Sequence, residues 1–256
     1  MVDIHSHILS GMDDGPESFE MSAEMCRLAA DDGITHIVST PHCNDRYWYD
    51  RGAQYEALEK LREATGHTME FSLGCEFLAT YENLQDLMGN PDNYTIGDTR
   101  YLLAELSDFS ISPNLKLTLS QIRFEGIVPI IAHPERNPIL QRKPELVLEW
   151  IEVGCLVQVT ANSLTGFWGV RPQKVAAWLL KNGGVHFLAS DAHDPVYRMP
   201  GLSKARQAAA AIVGDEQARF LVEDNPRAVV LGESMPSAPP SSFWPRTFVE
   251  REVKVG

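Results

Sequence analysis

The sequence predicts an α/β fold built on a parallel sheet. Seven short runs rich in Val, Ile, Leu and Thr alternate with longer segments of helical period, which is the pattern of repeated strand–helix units. Several of these runs are apolar throughout, as strands covered on both faces should be. The length, 256 residues, is also the usual size of a (β/α) barrel.

Strands are expected at residues 2–5, 34–40, 69–74, 101–106, 127–132, 156–160 and 185–190. The helix expected at 17–32 follows Pro16 and stops at Gly33, and the one at 171–182 stops at Gly183 and Gly184. After the seventh strand, 202–213 and 216–223 read as helices and 226–231 as one more short turn. From Glu233 the composition changes to Ser-Met-Pro-Ser-Ala-Pro-Pro-Ser-Ser, leading into Phe243, Trp244 and Phe248. The expected division is therefore a domain at 1–232 and a Pro/Ser-rich linker with a packing tail at 233–256.

With 44% hydrophobic and 22% charged residues the chain has the profile of a soluble globular protein, and its length suffices to bury a large core without disulfides. Its formal charge of -13 leaves no general basic surface for nucleic acid. An anionic substrate would be repelled at long range, so a phosphate site needs a local reversal of the field, which bound cations supply. The cysteines Cys26, Cys43, Cys75 and Cys155 are far apart, with no C-x-x-C pair, and read as reduced, mostly buried thiols. Only Met1 and Val2 precede the first charged residue, leaving no room for a signal peptide, and no apolar run approaches a membrane span. A cytoplasmic location is expected.

The chemistry-bearing residues are placed by position. His5 and His7 sit at the end of the first strand, where a spacing of two puts both side chains on one face. Asp191 and His193 repeat that geometry after the seventh. His42 follows the second strand, Glu76 the third and His133 the fifth, while Glu105 lies near the end of the fourth and Asp14 lies in the first loop. In a parallel barrel these ends share one rim, where barrel enzymes place their sites. Nine imidazoles and carboxylates suit borderline divalent cations and are too many for one ion, so two or three metals are implied, with Glu76 able to bridge a pair.

The plainer readings differ in strength. His36, His67 and His186 have no such companions and read as structural. Asp14 could instead cap a turn, and Glu105 could pair with an arginine. Arg136 and Arg198 follow His133 and His193 closely and are candidate phosphate clamps, or else surface ion-pair partners. Aromatic residues also gather after strands: Tyr47, Trp48, Tyr49, Phe109, Phe167, Trp168 and Tyr197. They either wall a pocket for an aromatic ring or simply cover the mouth. There is no G-x-x-x-x-G-K-[ST], G-x-G-x-x-G or G-x-S-x-G motif, and no cysteine has an arginine six positions on. A metal-activated hydroxide is the nucleophile that remains.

These residues resemble the PHP (polymerase and histidinol phosphatase) superfamily, and within it the bacterial capsular-polysaccharide tyrosine phosphatases. The resemblance rests on Asp-Ile-His-Ser-His-Ile-Leu with Asp13-Asp14-Gly15, Ser-Thr-Pro-His ending at His42, Gly-Cys-Glu ending at Glu76 and Thr-Arg-Tyr-Leu-Leu-Ala-Glu ending at Glu105. Ala-His-Pro-Glu-Arg-Asn from Ala132, Asn-Ser-Leu-Thr-Gly from Asn162 and Ser-Asp-Ala-His from Ser190 complete it, in the family's order, over about residues 1–232. It implies a distorted (β/α)7 TIM-like barrel holding three divalent ions, Mn first, with Fe, Zn, Co and Mg able to take the same donors.

By that resemblance one metal takes His5, His7, Glu76 and Asp191, a second Glu76, Glu105 and His133, and a third Asp14, His42 and His193. Arg136 and Arg198 would hold the phosphate, and His193, if protonated, could assist the leaving group. Tyr47, Trp48, Phe109 and Trp168 are the candidate substrate contacts. Cys43 stands where the family often has a second histidine, a departure that leaves the ligand set intact and bears on metal preference.

The implied activity is hydrolysis of phosphotyrosine on a protein, with a bacterial tyrosine autokinase controlling polysaccharide export as the partner. A histidinol-phosphate phosphatase is the nearest alternative. An amidohydrolase would want a lysine at the fourth strand, where Glu105 stands, and a non-catalytic metal-binding module would be expected to have lost ligands that are all present here.

Overall fold

The computed structural model describes residues 1–236; the part of the expected tail from 237 to 256 lies outside the described residues. In chain order the elements are β1 (Val2–Ser6), α1 (Phe19–Asp31), β2 (His36–Ser39), β3 (His42–Cys43), α2 (Arg51–Ala64), β4 (Glu70–Leu73), β5 (Glu76–Leu78) and α3 (Tyr81–Gly89). There follow β6 (Tyr101–Glu105), α4 (Leu115–Phe124), β7 (Val128–Ala132), α5 (Glu145–Ile151), β8 (Leu156–Thr160), α6 (Ala161–Leu164), α7 (Val170–Lys181), β9 (Phe187–Ala189), α8 (Ser203–Val213), α9 (Asp215–Val222) and α10 (Asp224–Leu231).

All strand pairs are parallel, in a three-stranded sheet β1-β2-β4 and a six-stranded sheet β3-β5-β6-β7-β8-β9. These nine strands follow seven paths, because β3 continues β2 and β5 continues β4. The first break falls at Pro41, which has no N–H to give a ladder. The second falls at Gly74, where a Cβ would meet Ile96 at 3.0 Å. Single hydrogen bonds carry the pairing across both breaks, from Gly74 N–H to Ser39 O (2.8 Å) and from Glu76 N–H to Pro41 O (3.0 Å). The last path returns to the first: His7 N–H donates to Ala192 O and Asp191 N–H to His5 O, each at 2.8 Å. The result is a distorted (β/α)7 barrel whose closing bonds are made by the chemistry-bearing segments themselves.

The expected strands and helices all form, with ends shifted by a residue or two, and the short turn expected at 226–231 is the eight-residue α10. Sequence accounts for the helix ends. Ser18 caps α1 by accepting from Met21 N–H, Asp50 caps α2 through Ala53 N–H, and Thr80 caps α3 through Asn83 N–H. Gly33, at φ +87, turns the chain out of α1 into β2. Asp32 reaches across to accept from Leu202 N–H (2.6 Å) and Ser203 N–H (2.9 Å), so the start of α8 is capped from 170 residues away.

One apolar cluster fills the layer between strands and helices, and a second joins Val2, Ile4, Leu103, Ile130 and Phe187. His5 and His7 alternate with Ile4 and therefore face the other way. The four cysteines are free and buried. No helix among the described residues is long and apolar enough to cross a membrane. Residues 233–235 lie against the start of β6, with Tyr101 OH donating to Glu233 O (2.5 Å), Arg100 to Ser234 (3.3 Å) and Met235 packed on the second cluster. Glu105 sits at the opposite end of that strand.

His186 is buried and its Nδ1 accepts from Val157 N–H at 3.1 Å. Burial pushes its imidazole down to about 4, against 6.5 when exposed. The unfolded chain therefore binds a proton that the folded one refuses between those values, so stability is full above 6.5 and falls as pH drops towards 4. Between pH 7 and pH 5 this residue should remove about 2 kcal/mol. Urea unfolding at both pH values should show the loss in the native protein and not in His186→Asn, which keeps an acceptor without titrating. Equal losses in the two would contradict the assignment.

Candidate metal centre

The rim is assembled by several chain segments that end together. Residues 5 and 7 come from the end of β1, 14 from the loop before α1, 42 from β3 and 76 from β5. Residue 105 ends β6, 133 follows β7, and 191 and 193 follow β9. His5, His7, Glu76, His133, Asp191 and His193 are buried, His42 and Glu105 are partly exposed, and Asp14 is exposed.

Glu76 lies at the centre. Its Oε2 is 3.4 Å from His5 Nε2, 3.2 Å from His7 Nε2 and 3.1 Å from His42 Nδ1, and its Oε1 is 2.5 Å from His133 Nε2. His5 Nε2 and His7 Nε2 are 3.3 Å apart, and each faces Asp191 Oδ1, at 3.6 and 3.7 Å. These separations match the ~3.4 Å edge of a tetrahedron of N and O donors about ~2.1 Å from a divalent ion. Asp14 Oδ1 lies 3.3 Å from His42 Nε2 and 3.4 Å from His193 Nε2, which defines a second gathering of donors. Among the described residues, His7, Asp14, His42 and His193, then His5, His7 and Glu76, and then His42, Glu76 and Glu105 could each converge on one ion. The donor chemistry and spacing thus fit divalent cations.

Crowding shows in the titration of these groups. Burial, then the Glu76 charge, raises Glu105 to about 9. Burial also works to raise Glu76, but the charges of His5 and His133 outweigh it and hold the carboxyl well below its usual range. Asp191 is likewise held low by Arg136, His5 and Arg198 against its burial. Burial, and after it the charge on His7, pushes His193 down to about 4. A neutral imidazole suits a ligand and not a proton donor.

The supporting residues were not singled out by sequence. Gln158 Oε1 faces His5 Nδ1 at 3.0 Å and accepts from His133 N–H at 3.3 Å. The buried Asp3 accepts from Ser190 N–H at 3.0 Å, and burial raises its carboxyl to about 6. Asp13 meets His7 Nδ1 at 2.6 Å. Only Asp13 left a trace in the sequence, as the neighbour of Asp14 in a motif; Asp3 and Gln158 read as ordinary strand residues. Asp191 (φ +53) and His133 (φ +29) hold left-handed backbone, a strain of about 1–3 kcal/mol each that tends to collect at functional sites.

Both arginines reach the rim. Arg136 donates to Asp191 Oδ2, and Arg198 Nη2 donates to Asp191 Oδ1 (2.8 Å) and to its carbonyl (3.1 Å). Their guanidinium carbons stand 4.3 and 5.2 Å from the Trp168 ring centroid. Tyr47 stacks on His42 with centroids 5.7 Å apart and planes 11° off parallel.

Trp48 and Phe109 depart from the expectation of pocket walls, at 89% and 95% exposed. Each stands on a turn tied by its own polar side chain, Asn44 for residues 46–47 and Ser107 for 109, so the ring projects into solvent. Tyr49 turns away to pack on Tyr94, and Cys43 packs beside Cys75 and Phe77 on the far side of the strand from His42. Of the histidines read as structural, His36 meets Ser72 (2.9 Å) and Glu70 (3.2 Å), His67 is exposed and His186 is the buried residue described above.

A parallel barrel with imidazoles and carboxylates packed at one rim defines a metal-dependent barrel hydrolase. The chain belongs to the family described as capsular polysaccharide synthesis, CpsB/CapC, whose model matches residues 1–231. It is 32% identical to the tyrosine-protein phosphatase YwqE of Bacillus subtilis over 197 residues, 76% of this chain and 78% of the relative. Identity to the tyrosine-protein phosphatase CpsB of Streptococcus pneumoniae is 30% over 242 residues, 91% and 99% of the two chains. A crystal structure from the work on those two proteins, described as unique metal-dependent tyrosine phosphatases, superposes with a TM-score of 0.87 at 30% identity, covering 94% of this chain and 98% of that one.

Gly15 shows how tightly the Asp14 loop is seated: an added Cβ would lie 2.5 Å from His7 O. Gly15→Ala should therefore push Asp14 out of register and weaken divalent-cation binding about tenfold or more. Calorimetric titration would check this, and an unchanged affinity would contradict the packing.

Proposed function

We propose that this protein is a metal-dependent protein-tyrosine phosphatase, with residues 1–232 as the phosphatase domain and the segment from 233 as a linker and tail. The observation that carries this reading is the buried Glu76 carboxylate surrounded by four imidazoles, with two arginines converging beside it on Asp191. The relatives' activity supports it. His5, His7, Glu76 and Asp191, then Glu76, Glu105 and His133, and then Asp14, His42 and His193 would hold three divalent ions, Mn²⁺ foremost, which when bound would supply Lewis acidity, an activated water and positive charge beside the phosphoryl group.

The chain's own groups do the rest. Arg136 and Arg198 share their N–H donors between Asp191 and the phosphoryl oxygens, and the Trp168 ring keeps both guanidinium planes at the edge of the site. This local positive charge is what lets a protein of charge -13 accept a phosphate. The stacked Tyr47 and His42 offer a flat surface beside it for the tyrosyl ring. The tyrosyl oxygen leaves with a pKa of about 10, so departure needs little protonation, and a neutral His193 serves as ligand. The substrate is phosphotyrosine on a bacterial tyrosine autokinase governing capsular or exopolysaccharide synthesis, met in the cytoplasm.

The test compares a tyrosine phosphopeptide with histidinol phosphate, using protein stripped of metal and then resupplied with Mn²⁺. Activity should return with the metal and favour the peptide; a preference for histidinol phosphate would overturn the substrate assignment. Arg136→Ala and Arg198→Ala should each lower kcat roughly 100-fold while leaving Mn²⁺ content unchanged. A variant with native kinetics would remove that arginine from the clamp.

A further inference from the structure

Asp13 is absent from the donor sets, yet three segments of the rim end on it. Its side chain is fully buried. One oxygen, Oδ2, accepts from His7 Nδ1 at 2.6 Å and from the backbone N–H of His42 at 2.9 Å. The other, Oδ1, accepts from Gly15 N–H at 2.9 Å, closing the turn that presents Asp14. A single carboxylate therefore sets the ring orientation of His7, the position of the His42 backbone and the shape of the Asp14 loop.

We infer that Asp13 is a positioning residue that couples the donor set of His5, His7, Glu76 and Asp191 to that of Asp14, His42 and His193, so that cations enter the two sets cooperatively. The inference rests on the metal assignment above. A carboxylate on His7 Nδ1 keeps the proton there and leaves the Nε2 lone pair directed at the cation position, 3.2 Å from Glu76 Oε2. An ion that draws His7 Nε2 into place draws Asp13 with it. The same carboxylate fixes His42 and the Asp14 turn, so filling one set lowers the ordering cost of filling the other.

Asp13→Asn is a sharp probe because it changes shape little and acceptor count decisively. Asp13 uses both oxygens on three donors, whereas an amide offers one oxygen and one NH2. Turned one way, the NH2 meets His7 Nδ1 and the His42 N–H, pulling the His7 proton onto Nε2, where a cation must bind. Turned the other way, it opposes Gly15 N–H and opens the Asp14 turn. Both orientations damage one set and uncouple it from the other.

The experiment titrates metal-free protein with Mn²⁺ and follows the free ion by its electron paramagnetic resonance signal, which reads binding without turnover. The native protein should bind with a Hill coefficient above one. Asp13→Asn should bind about 10- to 100-fold more weakly, with the coefficient falling to one. In the Zn-loaded native protein, long-range ¹H–¹⁵N correlation should place the His7 proton on Nδ1, and Asp13→Asn should lose that signature. Native binding with the variant's curve superposed on it would overturn the role of Asp13 alone, and independent sites in the native protein would overturn the coupling. No binding by the native protein would sink the metal assignment and this inference with it.

Discussion

A fully buried carboxylate surrounded by four imidazoles is the constraint on which the rest of the structure turns. Burying Glu76 without partners would cost several kcal/mol. The fold meets that cost by bringing His5 and His7 from the end of β1, His42 from β3 and His133 from the end of β7 to within 3.4 Å of its two oxygens. The closing bonds between residues 5–7 and 191–192 make the site and the ring a single feature. The left-handed backbone at His133 and Asp191 is a strain that the surrounding packing sustains.

Much of this was legible in the sequence because strands speak through period and position. The alternation of His5 with His7 and of Asp191 with His193 put each pair on one face, and the seven apolar runs placed the other donors at strand ends. The structure brings all nine to the same rim. What sequence could not show are contacts whose partners are set by tertiary geometry. Gln158 and Asp3 sit mid-strand with nothing local to mark them, and Asp13 is distinguishable from Asp14 only once the loop has folded over His7. The expected strands at 34–40 and 69–74 stop where Pro41 and Gly74 interrupt the ladder, and the short β3 and β5 that resume the pairing beyond them carry too few residues to show a period. For Trp48 and Phe109, position after a strand says that a residue is near the rim, not which way its turn aims the ring, and both stand exposed.

Family membership and local chemistry constrain different things. The match over residues 1–231 carries the barrel and the kind of catalyst. The arginines, with Trp168 beside both of them, place positive charge at the rim of an acidic protein. Cys43 packs with Cys75 and Phe77 and so stands apart from the donor sets. The last described residues lie at the end of β6 opposite the rim.

The most direct test of the account is anomalous diffraction at the manganese edge from crystals grown with Mn²⁺. The account predicts peaks bounded by His5, His7, Glu76 and Asp191, by Glu76, Glu105 and His133, and by Asp14, His42 and His193, with Glu76 common to the first two. Peaks elsewhere on the molecule, or none at this rim, would contradict it.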